Sequence, residues 1–265
     1  MLNHEPGTAS PSITPGLPIL EVEIRTPHGL LKERVAAPAQ MRLGELAAHA
    51  LPLDDRLVES RVAAETRDGR TISCRKGCFS CCYHLIPVSA PEAWMLADLV
   101  ASFPEPRREA VMRRFDQARR KMMEAGLLGG RSGSPGEQPS EKEKALEYFR
   151  LGIPCPFLDE GACSIYSKRP AVCREYLVTS PAALCSDPER NKGVTVRLHR
   201  SLTNALARVF AQVTGKSPWV MPLILALEWA GSCRGSSRRN YDSAAMVAML
   251  AENLSTSRPV PDPAR

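Results

Sequence analysis

Apolar and polar residues alternate near the start of the chain and change to helical spacing further on. The stretch ILEVEIRT, which begins at Ile19, has the period of two expected of a half-buried strand. The turn-like HGL and the stretch LKERVAA follow it, so we predict a β-hairpin. Next, MRLGELAAHAL and DDRLVESRVAAET have helical patterns, and Asp54 or Asp55 is the expected cap of the second stretch.

Helical patterns continue after the first cysteines. SAPEAWMLADLVASF has the chemistry of a helix start, with Ser89 as N-cap and Pro91 and Glu92 in the first turn. The next stretch, which stops at Gly126, carries four apolar residues on one predicted helical face: Val111, Phe115, Ala118 and Met122.

The second half of the chain mixes short elements with helices. EKEKALEYFRL predicts a short helix, LDEGAC a tight turn between extended pieces, and PAVCREYL one or two helical turns begun by Pro170. GVTVRLH predicts a strand. We predict further helices at about 201–213, 218–230 and 243–253.

Composition suggests how the chain is divided. Residues 1–17 are rich in Pro, Ser, Thr and Gly and predict a disordered tail, and 256–265 form a second tail. Between them we expect a β-hairpin plus helices at 18–70, then a cysteine-cluster metal-binding domain at 71–255. A flexible insert at 127–143 would interrupt this domain.

The bulk composition is that of an ordinary globular protein, with 43% hydrophobic and 24% charged residues. The net charge of +6 permits a nucleic-acid or acidic partner without requiring one. The start of the chain shows no secretory signal, and the longest apolar run, WVMPLILAL, is too short for a membrane span and contains Pro222. We therefore expect a cytoplasmic location, with no membrane partner.

The cysteines carry the clearest chemistry. Their number, nine, is odd, which argues against a closed disulfide framework in a reducing compartment. Four fall within nine residues: Cys74, Cys78, Cys81 and Cys82. The spacing of the first three brings sulfurs within reach of a common metal, whereas adjacent Cys81 and Cys82 diverge and suit two metals or a polynuclear cluster better. Arg75 and Lys76 are expected to lower the pKa of these thiols.

A second group completes the set: Cys155, Cys163, Cys173 and Cys185. Four plus four thiols could make two tetrahedral sites, or one iron–sulfur cluster with extra ligands. Soft thiolates favour zinc or iron, including a 4Fe-4S cluster, over magnesium or calcium. His84 or His199 could replace a thiol, and the isolated Cys233 is expected to be a packing residue.

The same stretches resemble a known family. CRKGCFSCC, then CPFL and CSIYSKRPAVCREY, resemble the YkgJ-type cysteine-cluster family, whose domain is described as zinc- or iron-chelating. The resemblance covers roughly Cys74 to Tyr176. It implies metal binding by seven thiols: Cys74, Cys78, Cys81, Cys82, Cys155, Cys163 and Cys173. Cys185 lies outside the core pattern, and we add it as a further candidate ligand. The flagellin lysine N-methylases look like distant relatives with a similar cluster.

The resemblance also draws attention to four residues beside the second group: Tyr166, Arg169, Arg174 and Tyr176. A thiolate-rich centre carries excess negative charge, which neighbouring Arg side chains can offset by donating hydrogen bonds to sulfur. We therefore expect these residues to support the metal centre from outside, and Arg169 or Arg174 to help retain the metal.

Three functions compete. The first is a protein whose zinc or iron organises the fold, and the second an iron–sulfur or non-haem iron enzyme with redox or methyltransfer chemistry. The spacing from Cys74 to Cys81 matches radical enzymes that cleave S-adenosylmethionine, but the alternating strands and helices of those enzymes are missing. No nucleophile elbow, phosphate-binding loop or metalloprotease motif is present, so no catalytic residue is assigned.

Nucleic-acid binding is the third and less favoured function. One predicted helix has a basic side, made by Arg107, Arg108, Arg113, Arg114, Arg119, Arg120 and Lys121. Acidic residues interrupt it and no aromatic platform accompanies it, which is typical of a solvated face. We therefore expect a mainly α protein with a small β element (α+β), whose helices pack around a cysteine-ligated metal centre.

Overall fold

The computed structural model describes residues 16–128, 140–189 and 193–256. Within these residues there are nine α-helices and five two-stranded sheets, so the predicted mainly α fold with a small β element is confirmed. The helices are α1 Leu43–Arg67, α2 Ala90–Ala101, α3 Glu105–Glu124, α4 Glu141–Arg150, α5 Ala171–Glu175, α6 Leu202–Thr214, α7 Ala226–Ser232, α8 Arg234–Ser237 and α9 Ser243–Leu254. Most of the two predicted tails, and residues 129–139 of the predicted insert, lie outside the described residues.

The strands are short and several pair across long stretches of sequence. They are β1 Ile19–Thr26, β2 Gly29–Ala36, β3 Gln40–Arg42, β4 Pro87–Ser89, β5 Leu158–Asp159, β6 Ala162–Cys163, β7 Leu177–Val178, β8 Thr195–Val196, β9 Val220–Pro222 and β10 Asn240–Asp242. Strand β3 pairs with β10, β4 with β9 and β7 with β8, all antiparallel. The β3–β10 and β4–β9 pairs join the C-terminal third of the chain to elements of its first third. In the part of the chain that the structure describes, no helix combines the length and apolar character that a membrane crossing needs.

The predicted hairpin is present as β1 and β2, which pair from Ile19 opposite Ala36 to Thr26 opposite Gly29. Val22 and Ile24 point to the core, which is why the apolar residues of β1 alternate. Helices α1 and α9 pack against this hairpin, so it shares the main core instead of standing apart.

The two helical stretches predicted before residue 68 form a single helix. Helix α1 runs through Pro52 without a break, and Asp54, expected as a cap, is a fully buried residue in its interior. An internal proline removes one backbone hydrogen bond. The buried side chains of Leu51, Leu53 and Leu57 hold the helix against the core on both sides of the proline. Tertiary packing therefore outweighs the low helix propensity of Pro52.

Helices α2 and α3 follow the sequence pattern closely. The hydroxyl of Ser89 accepts from the amide of Glu92, whose carboxylate in turn accepts from the amide of Ser89. This reciprocal capping box fixes the start of α2. The four apolar residues predicted on one face of α3 are all buried: Val111, Phe115, Ala118 and Met122.

Two C-terminal predictions are wrong in part. The helix expected at 218–230 begins only at Ala226, because Val220–Pro222 pair with β4 and a single 3₁₀ turn follows. Pro222 has no amide hydrogen to donate, and the amide of Leu223 donates to the carbonyl of Ile86 at 2.8 Å instead of to a helical neighbour. The strand expected in GVTVRLH is reduced to Thr195–Val196.

Candidate metal centre

The first cysteine group lies on a loop closed by two tight turns. Gly77 has φ of +88°, a backbone conformation that suits glycine, and the amide of Cys78 donates to the carbonyl of Arg75 at 3.0 Å. A 3₁₀ turn, Ser80–Tyr83, then carries Cys81 and Cys82. These turns place the thiols on one short stretch of chain before β4.

The second group meets the first through a direct backbone contact. The amide of Cys155 donates to the carbonyl of Cys82 at 2.7 Å. Strands β5 and β6 then form the tight turn predicted from LDEGAC, in which Glu160 and Gly161 both have positive φ. Cys163 ends this small hairpin. The two groups therefore touch although more than seventy residues separate them in sequence.

Six thiols from both groups line one cavity of about 50 Å³: Cys78, Cys81, Cys82, Cys155, Cys163 and Cys173. Cys173 reaches it from the short helix α5. The other walls are mainly apolar and include Ile86, Phe157, Ile165 and Leu223. Apolar walls lower the local dielectric constant, which strengthens electrostatic interactions with any charge among the sulfurs.

Cys74 and Cys185 lie beside the cavity and do not line it. The sulfur of Cys74 is 3.9 Å from the carbonyl oxygen of Tyr176. Burial raises the pKa of the Cys185 thiol, and the charges of Cys74, Cys81 and Cys78 add to that rise. The backbone of Cys185 is fixed by His84, whose Nε2 donates to its carbonyl at 3.0 Å.

Within the cavity, the pKa of Cys81 is lowered and the pKa of Cys82 is raised. A hydrogen bond from the thiol of Cys82 lowers the pKa of Cys81 to about 7, against the effect of burial, and the nearby charge of Arg169 helps. The same hydrogen bond and burial raise the pKa of Cys82 far above its ordinary value. Cys81 is therefore the thiol most readily ionised in this group.

The remaining cavity thiols hold their protons more tightly. Burial raises the pKa of Cys155 to about 12 and raises those of Cys163 and Cys173 as well. A cluster of neutral thiols in an apolar cavity is poised to release protons only when a cation enters. Binding of a soft divalent cation would therefore release protons and tighten as the pH rises.

Arg169 is the basic residue among those that line the thiol cavity. It lines the cavity, its guanidinium stacks over the ring of Tyr166 at 4.0 Å, and its charge lowers the pKa values of Cys74, Cys163 and Cys173 against the effect of burial. Its Nε is buried without a hydrogen-bond partner among the described residues. A thiolate centre would supply the acceptor that this group lacks.

Arg75 and Lys76, expected to lower the thiol pKa values, have exposed side chains. The Nζ of Lys76 lies 6.0 Å from the centre of the Tyr166 ring. Arg169 has this effect instead at Cys81, Cys163 and Cys173, and burial outweighs it at Cys163 and Cys173.

The other two residues expected to support the centre have different surroundings. The buried guanidinium of Arg174 binds Asp55 of α1 and the carbonyls of Ser167 and Arg169, so it holds the loop that carries Arg169. Tyr176 meets the thiols through its backbone carbonyl, beside Cys74, while its ring packs edge-on against His84 at 5.7 Å.

Helix α3 fastens the second cysteine group through its arginines. Arg107 donates to the carbonyl of Ser164 at 2.8 Å, and Arg114 contacts both the carbonyl of Leu158 and the carboxylate of Asp159, the latter at 2.7 Å. Part of the basic side of this helix is therefore used within the protein. Asp159 belongs to this ion pair and to the β5–β6 turn.

Glu92, predicted only as a residue of the first turn of α2, also helps to build the site. One of its carboxylate oxygens accepts from the amide of Ala171 at 3.0 Å and from the hydroxyl of Thr203 at 3.1 Å. It thereby joins the start of α2 to the start of α5, the helix that carries Cys173. A glutamate at the third position of a capping box was a visible signal, but its second task depends on tertiary contacts.

The structure places two further candidates elsewhere. His199 lines another cavity, and its Nε2 donates to the carbonyl of Leu254 at 2.8 Å. Cys233 packs at the edge of the main core beside Ser232. Neither residue lines the thiol cavity.

The donor set fits a soft cation. All nine cysteines are free, six of them line one cavity, and thiolate sulfur is a ligand that zinc and iron bind well. Among the described residues no three His, Cys, Asp or Glu side chains are already arranged to hold a metal ion. The thiols therefore share a cavity without forming a ready coordination sphere, and their side chains must rotate to bind.

Comparison with known proteins agrees with this chemistry. Residues 73–192 match the family model CxxCxxCC, described as "Putative zinc- or iron-chelating domain". The match confirms the resemblance to the YkgJ-type cysteine-cluster family. No curated protein and no solved structure matches the chain.

Proposed function

We propose that this protein binds zinc or iron where its two cysteine groups meet, and the match of residues 73–192 to a family model described as zinc- or iron-chelating supports this. The observation that carries the proposal is the shared cavity lined by six thiols from both groups. The ligands would come from this set, with Cys74 and Cys185 beside it as additional candidates. Bound zinc or iron would supply positive charge that stabilises the thiolates and links the two loops.

The protein's own residues would prepare this centre. Arg169 would donate from its unpartnered Nε toward sulfur, and Tyr166 would hold the guanidinium in place by stacking. Arg174 would support the centre indirectly, because it binds the carbonyls of Ser167 and Arg169 and so holds the loop that carries Arg169. A reducing compartment such as the cytoplasm suits a protein whose nine thiols are free.

Anaerobic purification followed by metal analysis tests the proposal. We expect stoichiometric zinc or iron in the natural protein, a clear loss in Cys82→Ser and Cys163→Ser, and no change in the matched control Cys233→Ser. A natural protein that retains no metal after incubation with zinc or ferrous iron would refute it, as would full metal content in both cavity variants.

Visible absorption in the same experiment separates the two kinds of centre. A brown protein with iron and acid-labile sulfide would support an iron–sulfur centre and redox or methyltransfer chemistry. A colourless protein with zinc would support a centre that organises the fold.

A further inference from the structure

A second cavity lies away from the thiols, between the start of α6, the end of α9 and the segment before β9. Its volume is about 570 Å³, within the range of small-molecule sites. The residues that line it include three basic side chains and no acidic one: His199, Arg200 and Arg208. The metal-binding proposal makes no use of this cavity.

The two arginines of this cavity differ from those of α3. Neither Arg200 nor Arg208 has an ion pair or side-chain hydrogen bond with any residue in the described ranges. In α3, by contrast, Arg114 and Arg119 contact the carboxylates of Asp159 and Glu228. Uncompensated guanidinium groups on the wall of a concave site attract an anion, and the planar fork of each suits phosphate oxygens.

The remaining walls are held in place. Asn253 donates both amide hydrogens, to the side chain of Gln212 at 3.0 Å and the carbonyl of Met249 at 2.8 Å, and His199 is fixed by the carbonyl of Leu254. On α6, Asn204 and Arg208 lie one turn apart on the same face. His199 and Asn253 would therefore lose little conformational freedom when a ligand enters.

An aromatic surface completes the cavity. Trp219 lines it and packs edge-on against Trp229 at 5.2 Å, which in turn packs against buried Trp94 at 5.0 Å. This row anchors the indole ring of Trp219 in the core. The first amide of α6 is already taken by the carboxylate of Glu175, which accepts from Leu202 at 2.6 Å, so an anion must rely on the side chains.

We propose that this cavity binds a small organic phosphate that carries a planar ring. The phosphate lies between Arg200 and Arg208, and the ring lies against Trp219. The volume admits a ring and one or two phosphate groups and is too small for a folded nucleic acid.

Isothermal titration of the metal-loaded protein with ADP, at physiological ionic strength, tests this proposal. We expect saturable binding that weakens with added salt, because the attraction is electrostatic. Arg200→Gln and Arg208→Gln should each weaken binding about tenfold or more, the effect of losing a hydrogen bond to a charged group. Arg120→Gln, an equal charge change on the exposed side of α3, should bind ADP as the natural protein does.

Two simpler probes divide the proposed ligand into its parts. Pyrophosphate should bind more weakly than ADP, and adenosine more weakly still. The proposal fails if ADP does not saturate the protein, if adenosine binds as tightly as ADP, or if both cavity variants match Arg120→Gln. The metal content should stay the same in all three variants, so this outcome is independent of the thiol centre.

Discussion

The buried carboxylate of Glu92 accepts a hydrogen bond from the backbone amide of Ala171 at 3.0 Å, 79 residues further along the chain. The same carboxylate accepts from the amide and hydroxyl of Ser89 and from the hydroxyl of Thr203. Glu92→Ala should therefore reduce the free energy of unfolding by about 2 kcal/mol or more, since buried donors left without a partner cost about 1–3 kcal/mol each. Urea denaturation measures the change.

The chain offers a matched control for this prediction. Glu143 occupies the same position in the capping box of α4, where its carboxylate accepts from the amide and hydroxyl of Ser140 in an exposed setting. Glu143→Ala should cost about 0.5 kcal/mol, near the low end for the loss of a cap. Equal losses in the two variants would show that Glu92 is a helix cap and nothing more.

Asp54 should make stability depend on pH. Both its carboxylate oxygens are buried, and burial, followed by the charge of Glu175, raises its pKa well above the ordinary value. The folded state therefore holds a proton that the unfolded state releases. The stability that this proton contributes is fully present below the pKa of Asp54 in the unfolded chain, about 4. It is lost as the pH rises through the higher pKa of Asp54 in the folded protein.

Asp54→Asn removes this titration. We expect the variant to be more stable than the natural protein at neutral pH, with the difference shrinking toward pH 4. Urea midpoints measured from pH 4 to pH 8 would reveal the trend. Asp116→Asn, on the exposed side of α3, should change the pH profile little. A constant difference between Asp54→Asn and the natural protein at every pH would contradict the explanation.

The two arginines beside the second cysteine group should have separable effects. Arg169→Gln should weaken metal binding about ten- to hundredfold with little change in fold, because Arg169 lines the thiol cavity. Arg174→Gln should mainly reduce stability, because it leaves Asp55 and the carbonyls of Ser167 and Arg169 without their partner. Competition with a coloured chelator, together with thermal unfolding, measures both. Identical affinities in Arg169→Gln and the natural protein would remove Arg169 from the centre.

Metal removal should loosen the cysteine loops and spare the core. We expect chelation to speed hydrogen exchange in residues 74–84 and 155–165, because the proposed metal supplies much of their order. Helices α2 and α6, with buried residues such as Leu96 and Leu206, should keep their protection. Exchange followed by mass spectrometry would show the pattern, and a uniform rise across the chain would contradict it.

Local rules predicted those elements whose stability is decided by neighbouring residues. The alternation from Ile19, the Ser89 cap and the apolar face through Phe115 each appeared as expected. Prediction was poorest where distant contacts decide. Pro52 remains inside a helix because its buried neighbours Leu51 and Leu53 hold that helix against the core, and Val220–Pro222 are extended because β4 pairs with them.

The same distinction applies to the candidate site. Spacing pointed to the thiols, and the resemblance pointed to Arg169, but neither could show that Leu223 closes the cavity or that Glu92 anchors α5. Spacing also could not show that His199 lies outside the thiol cavity, because a sequence pattern does not reveal which cavity a histidine lines. Such placements depend on how the chain folds back, which a local pattern does not encode.

Strand β3 pairs with β10 through Arg42 opposite Asn240, near the two ends of the described chain. During translation, the partner of Arg42 leaves the ribosome nearly two hundred residues after Arg42 itself. All eight thiols of the two groups emerge in that interval, before the last strand can close the fold. We therefore expect the nascent chain to need protection from oxidants and stray metals until synthesis ends.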